Sequence, residues 1–241
     1  MVEELNVDRE IRRLILDNDI FWMSIHSLVN VLSSICYGIK KIKSDSATLS
    51  DVPHVFMSVK ETFSSLNLTP LQTEEEAVQN IVETRRVMFC QPVHYAAYLL
   101  DPRYFETKLN EEDYKPGLHF IASFPVDELS ANILANFAKY KSRDSMHSNN
   151  SVWESTQFVS PLVWWKGFFK GQCLSSVALR LFSIPPSSAA CERIFSAFSH
   201  THTLTRNRLS NERVSKLESI RSNLILKSKS LSVDNIEIEN D

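Results

Sequence analysis

Glu192 is the carboxylate whose setting invites a chemical reading. It lies in Pro186-Ser187-Ser188-Ala189-Ala190-Cys191-Glu192-Arg193-Ile194-Phe195-Ser196. Pro186 cannot lie inside a helix, whereas Ser187 or Ser188 can cap one, so a helix opens just ahead of the acid. A carboxylate placed there complements the positive end of the helix dipole. On a helical wheel Ala190, Ile194, Ala197 and Phe198 share one face, and Ser188, Glu192, Ser196 and Ser199 fall opposite. Glu192 therefore points away from the apolar face, and its plain reading is a solvated helix carboxylate.

Two other groupings carry potential chemistry. Cys90 and His94 could ligate a metal, but two ligands with Pro92 between them and no second pair nearby make a poor zinc site. Arg206, Arg208, Arg213, Lys216, Arg221, Lys227 and Lys229 make residues 203–230 basic against only Glu212 and Glu218. Contact with a DNA backbone is one reading of that run and a solvated helix face the other; no aromatic residue is interleaved for base stacking. No Gly-rich phosphate loop, Ser/His/Asp nucleophile motif or further metal motif offers a rival active site.

The elements that must position these residues are helices. Only 4 Gly and 9 Pro occur in 241 residues, with 43% hydrophobic residues to build a core, a composition that favours helices over the Gly-rich turns of a sandwich or barrel. The formal charge of -3 gives no global attraction to nucleic acid. Four scattered cysteines form no CxxC pair and suit a reducing compartment. The acidic N-terminus lacks a signal-peptide core, and no apolar run approaches the ~18 residues a membrane helix requires.

Helical spacing appears over Asp8 to Leu16 and Asp19 to Ile42, from Pro53 to Leu66, and from a capping box at Thr73 and Glu76 through about Phe89. Pro92 starts a short helix that Pro102 ends, and His94 within it reads as structural. Pro116-Gly117 predicts a turn, and Pro125 to Glu128 opens a helix with Leu129, Ile133, Leu134 and Phe137 on one side. Lys141 to Ser151 is almost without apolar residues and reads as a mobile linker. Ser160-Pro161 starts a helix carrying Trp164-Trp165. Helices follow from Cys173 to Ile184, from Ser188 to about Ser199 and from Asn211 to Leu226, and residues beyond Lys229 read as a frayed tail.

Trp164-Trp165, Leu181 to Ile184, Pro186-Ser187-Ser188-Ala189-Ala190, Glu192-Arg193-Ile194-Phe195-Ser196 and Arg206-Asn207-Arg208-Leu209 follow one another in this order. Together they resemble the C-terminal dimerisation segment of hAT-superfamily transposases. Upstream, Pro92, His94, Ala96-Ala97-Tyr98, Leu99-Leu100 and Asp101-Pro102-Arg103 resemble the segment that closes the helical insertion domain of the same transposases. Arg85-Arg86 stands where many relatives read Arg-Trp.

The resemblance implies a ribonuclease-H-like fold in which two Asp and one Glu hold two divalent cations for strand cleavage and transfer. Glu192 matches the family Glu. The two Asp lie on strands before the insertion, and this chain is read as beginning inside it, without the Asp pair or the DNA-recognition zinc finger. The expectation is therefore an all-α chain with the central sheet absent. Residues 1–140 correspond to the end of the insertion domain, 141–157 to a linker, 158–228 to the dimerisation region and 229–241 to a disordered tail. Its implied work is dimerisation, with itself or a related hAT protein, in the nucleus, through Trp164, Trp165, Leu181, Phe182, Ile184, Ile194, Phe195, Phe198, Leu209, Val214 and Leu217. No cofactor is expected; Mg²⁺ would enter only if the Asp residues of a longer chain completed the site around Glu192. The alternatives are the C-terminal part of an active DNA transposase and a domesticated nuclear regulator.

Overall fold

A computed structural model of the chain describes residues 9–16, 19–65, 72–125, 130–201 and 210–236. Helices dominate, and no strand occurs among the described residues. They divide into two compact units, Met1–Pro186 and Ser187–Asp241.

The first unit is built around α5 (Pro92–Leu100), which follows α1 (Arg9–Leu16), α2 (Asp19–Ile42), α3 (Asp51–Ser65) and α4 (Gln72–Phe89). Tyr95 to Leu100 are all buried, as a helix apolar on every side must be. Pro92 opens α5 at a position where its missing N–H costs nothing. Helix α3 packs on one side of it, and α6 (Glu111–Ala122) and α10 (Cys173–Phe182) on others. The remaining elements of this unit are α7 (Ser130–Lys141), α8 (Asn150–Glu154) and α9 (Pro161–Phe168).

Helix α6 runs through Pro116-Gly117, where the sequence predicts a turn. Proline removes the bond to the carbonyl four residues back, which belongs to exposed Glu112. Gly117 lets α6 approach α5: a Cβ there would lie 2.9 Å from Tyr95 Cβ and 3.0 Å from Leu99 Cδ1. The close helix contact outweighs the local turn signal.

Residues 141–157, expected to be a linker, instead fold onto the first unit. Short 3₁₀ turns at Ser145–Ser148 and Ser155–Gln157 flank α8. The Asn149 side chain accepts from the Ser151 amide at 3.0 Å, so a residue read as linker chemistry is a helix cap. His147 and Trp153 are buried. The boundary between compact units accordingly falls at 186/187 rather than in this stretch.

The second unit contains α11 (Ala189–Thr201) and α12 (Asn211–Ile236), packed on each other. Helix α12 continues to Ile236, past the point where the sequence predicts a frayed tail. Residues 237–241 lie outside the described residues.

Candidate functional site

The Asp101-Pro102-Arg103 block organises a buried polar node. Asp101 is fully buried, with Oδ1 accepting from the Arg103 amide at 2.9 Å and Oδ2 accepting from Arg103 Nη2 at 2.8 Å and Ser50 Oγ at 2.6 Å. Ser50 and Thr48 lie in the turn between α2 and α3, and Thr48 donates from both its amide (2.8 Å) and hydroxyl (2.9 Å) to Asp51 Oδ2. Tyr104 donates to Asp51 Oδ1 at 2.7 Å, and Lys41 from the end of α2 donates to the Tyr104 hydroxyl at 3.0 Å. Burial alone would raise the Asp51 pKa, but the Arg103 charge and the bonds from Tyr104 and Thr48 outweigh it and hold the carboxyl below its usual value. Burial and the Asp51 charge push the Tyr104 phenol upward, so it stays a donor. Each buried charge is met, which makes this block a clasp joining α2, α3 and α5.

His94 makes a structural contact. Its Nδ1 accepts from the Gln91 amide at 3.0 Å at the start of α5, and burial lowers its pKa. Burial pushes the Cys90 thiol up to about 11, against the thiolate form a metal would need. Arg86, at the departure from Arg-Trp, reaches Asp113 at 2.7 Å and the Tyr95 hydroxyl at 2.7 Å. Its guanidinium ties α4 to α5 and α6.

A second shelf is aromatic. Trp165 donates to the Leu100 carbonyl at 2.9 Å, Trp164 to the Val152 carbonyl at 2.8 Å, and Trp153 to the His147 carbonyl at 2.7 Å. Their indoles surround Tyr140, whose ring centre is 5.2 Å from that of Trp165. The resemblance assigns the Trp pair to a dimer surface, yet both residues are 0% exposed. Leu181, Phe182 and Val214 are also buried. Side chains so enclosed pack within the chain; they do not line an open surface.

The other expected interface residues divide. Ile184, Ile194, Phe195 and Leu217 are exposed, with Phe195 at 72%. Phe198 is half-buried, and Leu209 lies outside the described residues. Glu192 is on the exposed part of α11, accepting from the Ser188 hydroxyl at 2.9 Å. No three His, Cys, Asp or Glu side chains come together as metal ligands among the described residues.

The open surface of the second unit carries a pattern on α12. Leu217, Ile220 and Leu224 are 48%, 58% and 61% exposed and recur at i, i+3, i+7, forming one stripe. Val214, three residues before Leu217 and about 60° around from it, and Glu218, about 100° around, are buried. Ile220 and Leu224 are absent from the expected interface set, although their spacing with Leu217 is legible in the sequence. Exposed Phe158, Val163 and Phe168 also lie outside that set; Phe158 follows the Ser155–Gln157 turn and the other two lie in α9, and their sequence spacing carries no signal. No described helix is long and apolar enough to cross a membrane.

Residues 137–224 match the model for the hAT family C-terminal dimerisation region. Neither curated proteins nor solved structures give a significant match. The matched stretch starts in α7 and ends in α12. It takes in the buried residues 141–157, the Trp164-Trp165 shelf and the Glu192-Arg193-Ile194-Phe195-Ser196 block. Residues 137–224 thus carry the hAT family C-terminal dimerisation region.

Proposed function

We propose that the chain is a protein-dimerisation module derived from an hAT transposase and that it has no complete catalytic site. The observation that carries this reading is the stripe of exposed Leu217, Ile220 and Leu224 on α12, together with exposed Ile194 and Phe195 on α11. Two helices that bury so little of their own apolar surface gain stability when a partner covers it. The partner in this reading is a second copy or a related hAT protein, and the resemblance supports work in the nucleus. The helices stand for the terminal helices of a ribonuclease-H-like fold. Glu192 supplies one carboxylate where two-metal chemistry needs several, so the module works without a cofactor.

Sedimentation velocity of the full chain tests the reading. The parent should associate at tens of micromolar, within the range of weak specific contacts. Leu217→Lys with Leu224→Lys should weaken association, and both positions are exposed enough to leave the fold intact. A parent that stays monomeric overturns the dimerisation reading. Mg²⁺-dependent cleavage of labelled DNA that disappears in Glu192→Gln overturns the catalytic one.

A further inference from the structure

Outside the matched region, α2 presents a second apolar seam. Trp22, Ile25, Val29, Leu32, Cys36 and Ile39 alternate in spacing by three and four along its 24 residues, the repeat by which one helix packs along another. Trp22, Val29, Leu32 and Ile39 are each about half exposed, at 48%, 52%, 57% and 51%. Cys36 is exposed too, and Ile25 is half-buried. A different side of the helix is fixed against α3, where Gly38 approaches Val55 too closely to admit a Cβ. Between Asp19 and Lys40 the helix has no Asp, Glu, Lys or Arg. A solvated helix face is ordinarily charged.

We infer that α2 pairs with α2 of a second copy, antiparallel, about a dyad between Asn30 and Val31. The seam is palindromic about that point: Trp22 meets the partner's Ile39, Ile25 the partner's Cys36, and Val29 the partner's Leu32. Charge selects the orientation. An antiparallel pair sets Asp19 beside the Lys40 end of the other copy and opposes the helix dipoles, whereas a parallel pair stacks Asp19 on Asp19 and Lys40 on Lys40. With flanking Leu28, the uncovered seam amounts to on the order of 1,000 Å² over both copies, at the threshold of a specific interface. The contact does not depend on the α12 stripe. Two separate self-contacts per copy would carry assembly beyond a dimer.

The test uses the full chain with Leu217→Lys and Leu224→Lys, which silence α12, and Cys191→Ser. Cys36 is then the exposed thiol among the described residues, since Cys90 and Cys173 are buried. This background should remain dimeric at tens of micromolar. A short bismaleimide should give covalent dimers only after Ile25→Cys, because the two Cys36 thiols of an antiparallel pair lie about 16 Å apart along the axis. Leu32→Lys should weaken the dimer at least tenfold, and circular dichroism should show helix content retained. A monomeric background, crosslinking through Cys36 alone, or indifference to Leu32→Lys would each overturn the proposal. A background that is monomeric while the parent associates leaves the α12 reading standing, so the two fail separately.

Discussion

The indole N–H of Trp165 donates to the carbonyl of Leu100 across 2.9 Å. That bond joins α9 of the dimerisation region to the end of α5, one residue before Asp101 and its polar node. The Trp164-Trp165 and Asp101-Pro102-Arg103 blocks, which resemble different parts of a transposase, are thus tied together within the first unit. The Tyr140 hydroxyl reaches the same carbonyl at 3.4 Å. Trp165→Phe deletes the stronger donor and part of a buried ring, so it should cost roughly 2–3 kcal/mol of stability. Urea denaturation followed by circular dichroism measures it; a change under about 0.5 kcal/mol, typical of surface positions, would remove Trp165 from this role.

Arg103 should be harder to replace than its partial exposure suggests. Its guanidinium contacts both Asp101 and Asp51, whose side chains are 0% and 2% exposed. Arg103→Met leaves buried Asp101 without the Arg103 cation and Asp51 with Lys41 alone at 3.4 Å, and should cost about 3–5 kcal/mol. Arg103→Lys should recover only part of this, because one ammonium cannot reproduce a planar fork bonded to Asp101 through Nε and Nη2. Full recovery by Lys in the same denaturation series would show that charge alone suffices.

Gly117→Ala decides between two opposed effects. Inside a helix, alanine is favoured over glycine by about 1 kcal/mol. Here the added Cβ meets Tyr95 Cβ at 2.9 Å and the Tyr95 backbone carbonyl carbon at 3.0 Å, and overpacking costs about 1–3 kcal/mol. Backbone cannot yield as a flexible side-chain tip can, so the variant should melt at a lower temperature than the parent. A higher melting temperature would mean that α5 and α6 separate freely.

Stability should fall on mild acidification. Burial holds His94 and His147 below the ordinary imidazole value of 6.5, and burial together with nearby Lys41 does the same for His54. At pH above 6.5 both states are neutral and nothing is lost. As pH drops below 6.5 the unfolded chain binds protons first, so folding weakens until the folded histidines also titrate. Asp51, held below its usual carboxylate value, adds a second loss at still lower pH. Urea midpoints from pH 8 to 4 should be level and then decline, more shallowly in His94→Gln. An unchanged slope in that variant would exclude His94 from the effect.

What the sequence discloses follows the reach of each signal. Helix starts and stops were legible at Pro92, Pro102 and Ser160, because capping and the missing proline N–H act within a few residues. The helix through Pro116-Gly117 was not, since its reason is the proximity of Tyr95 and Leu99. Residues 141–157 looked like linker because Asn and Ser are polar, yet these serve as caps and turns around the single large anchor Trp153. The site suffered the same blindness. Periodicity marks Trp164, Trp165, Leu181 and Leu217 alike as apolar, but only tertiary packing encloses the first three and leaves Leu217 open.

Phe195 and Glu192 separate folding from association most sharply. A buried Phe would cost roughly 3–5 kcal/mol when cut to Ala, but Phe195 is 72% exposed. Phe195→Ala should therefore leave stability within about 0.5 kcal/mol. If the dimer covers this ring, the dissociation constant should rise about 5- to 30-fold, corresponding to about 1–2 kcal/mol. Glu192→Gln keeps the oxygen that accepts from Ser188 at 2.9 Å, and should move neither quantity beyond about 0.5 kcal/mol. Thermal melts with sedimentation equilibrium on both variants check this. A destabilised Phe195→Ala that dimerises as the parent does would place the ring in the fold. Mg²⁺ that raises the melting temperature of the parent but not of Glu192→Gln would make Glu192 a metal ligand and overturn the reading of this chain as catalytically incomplete.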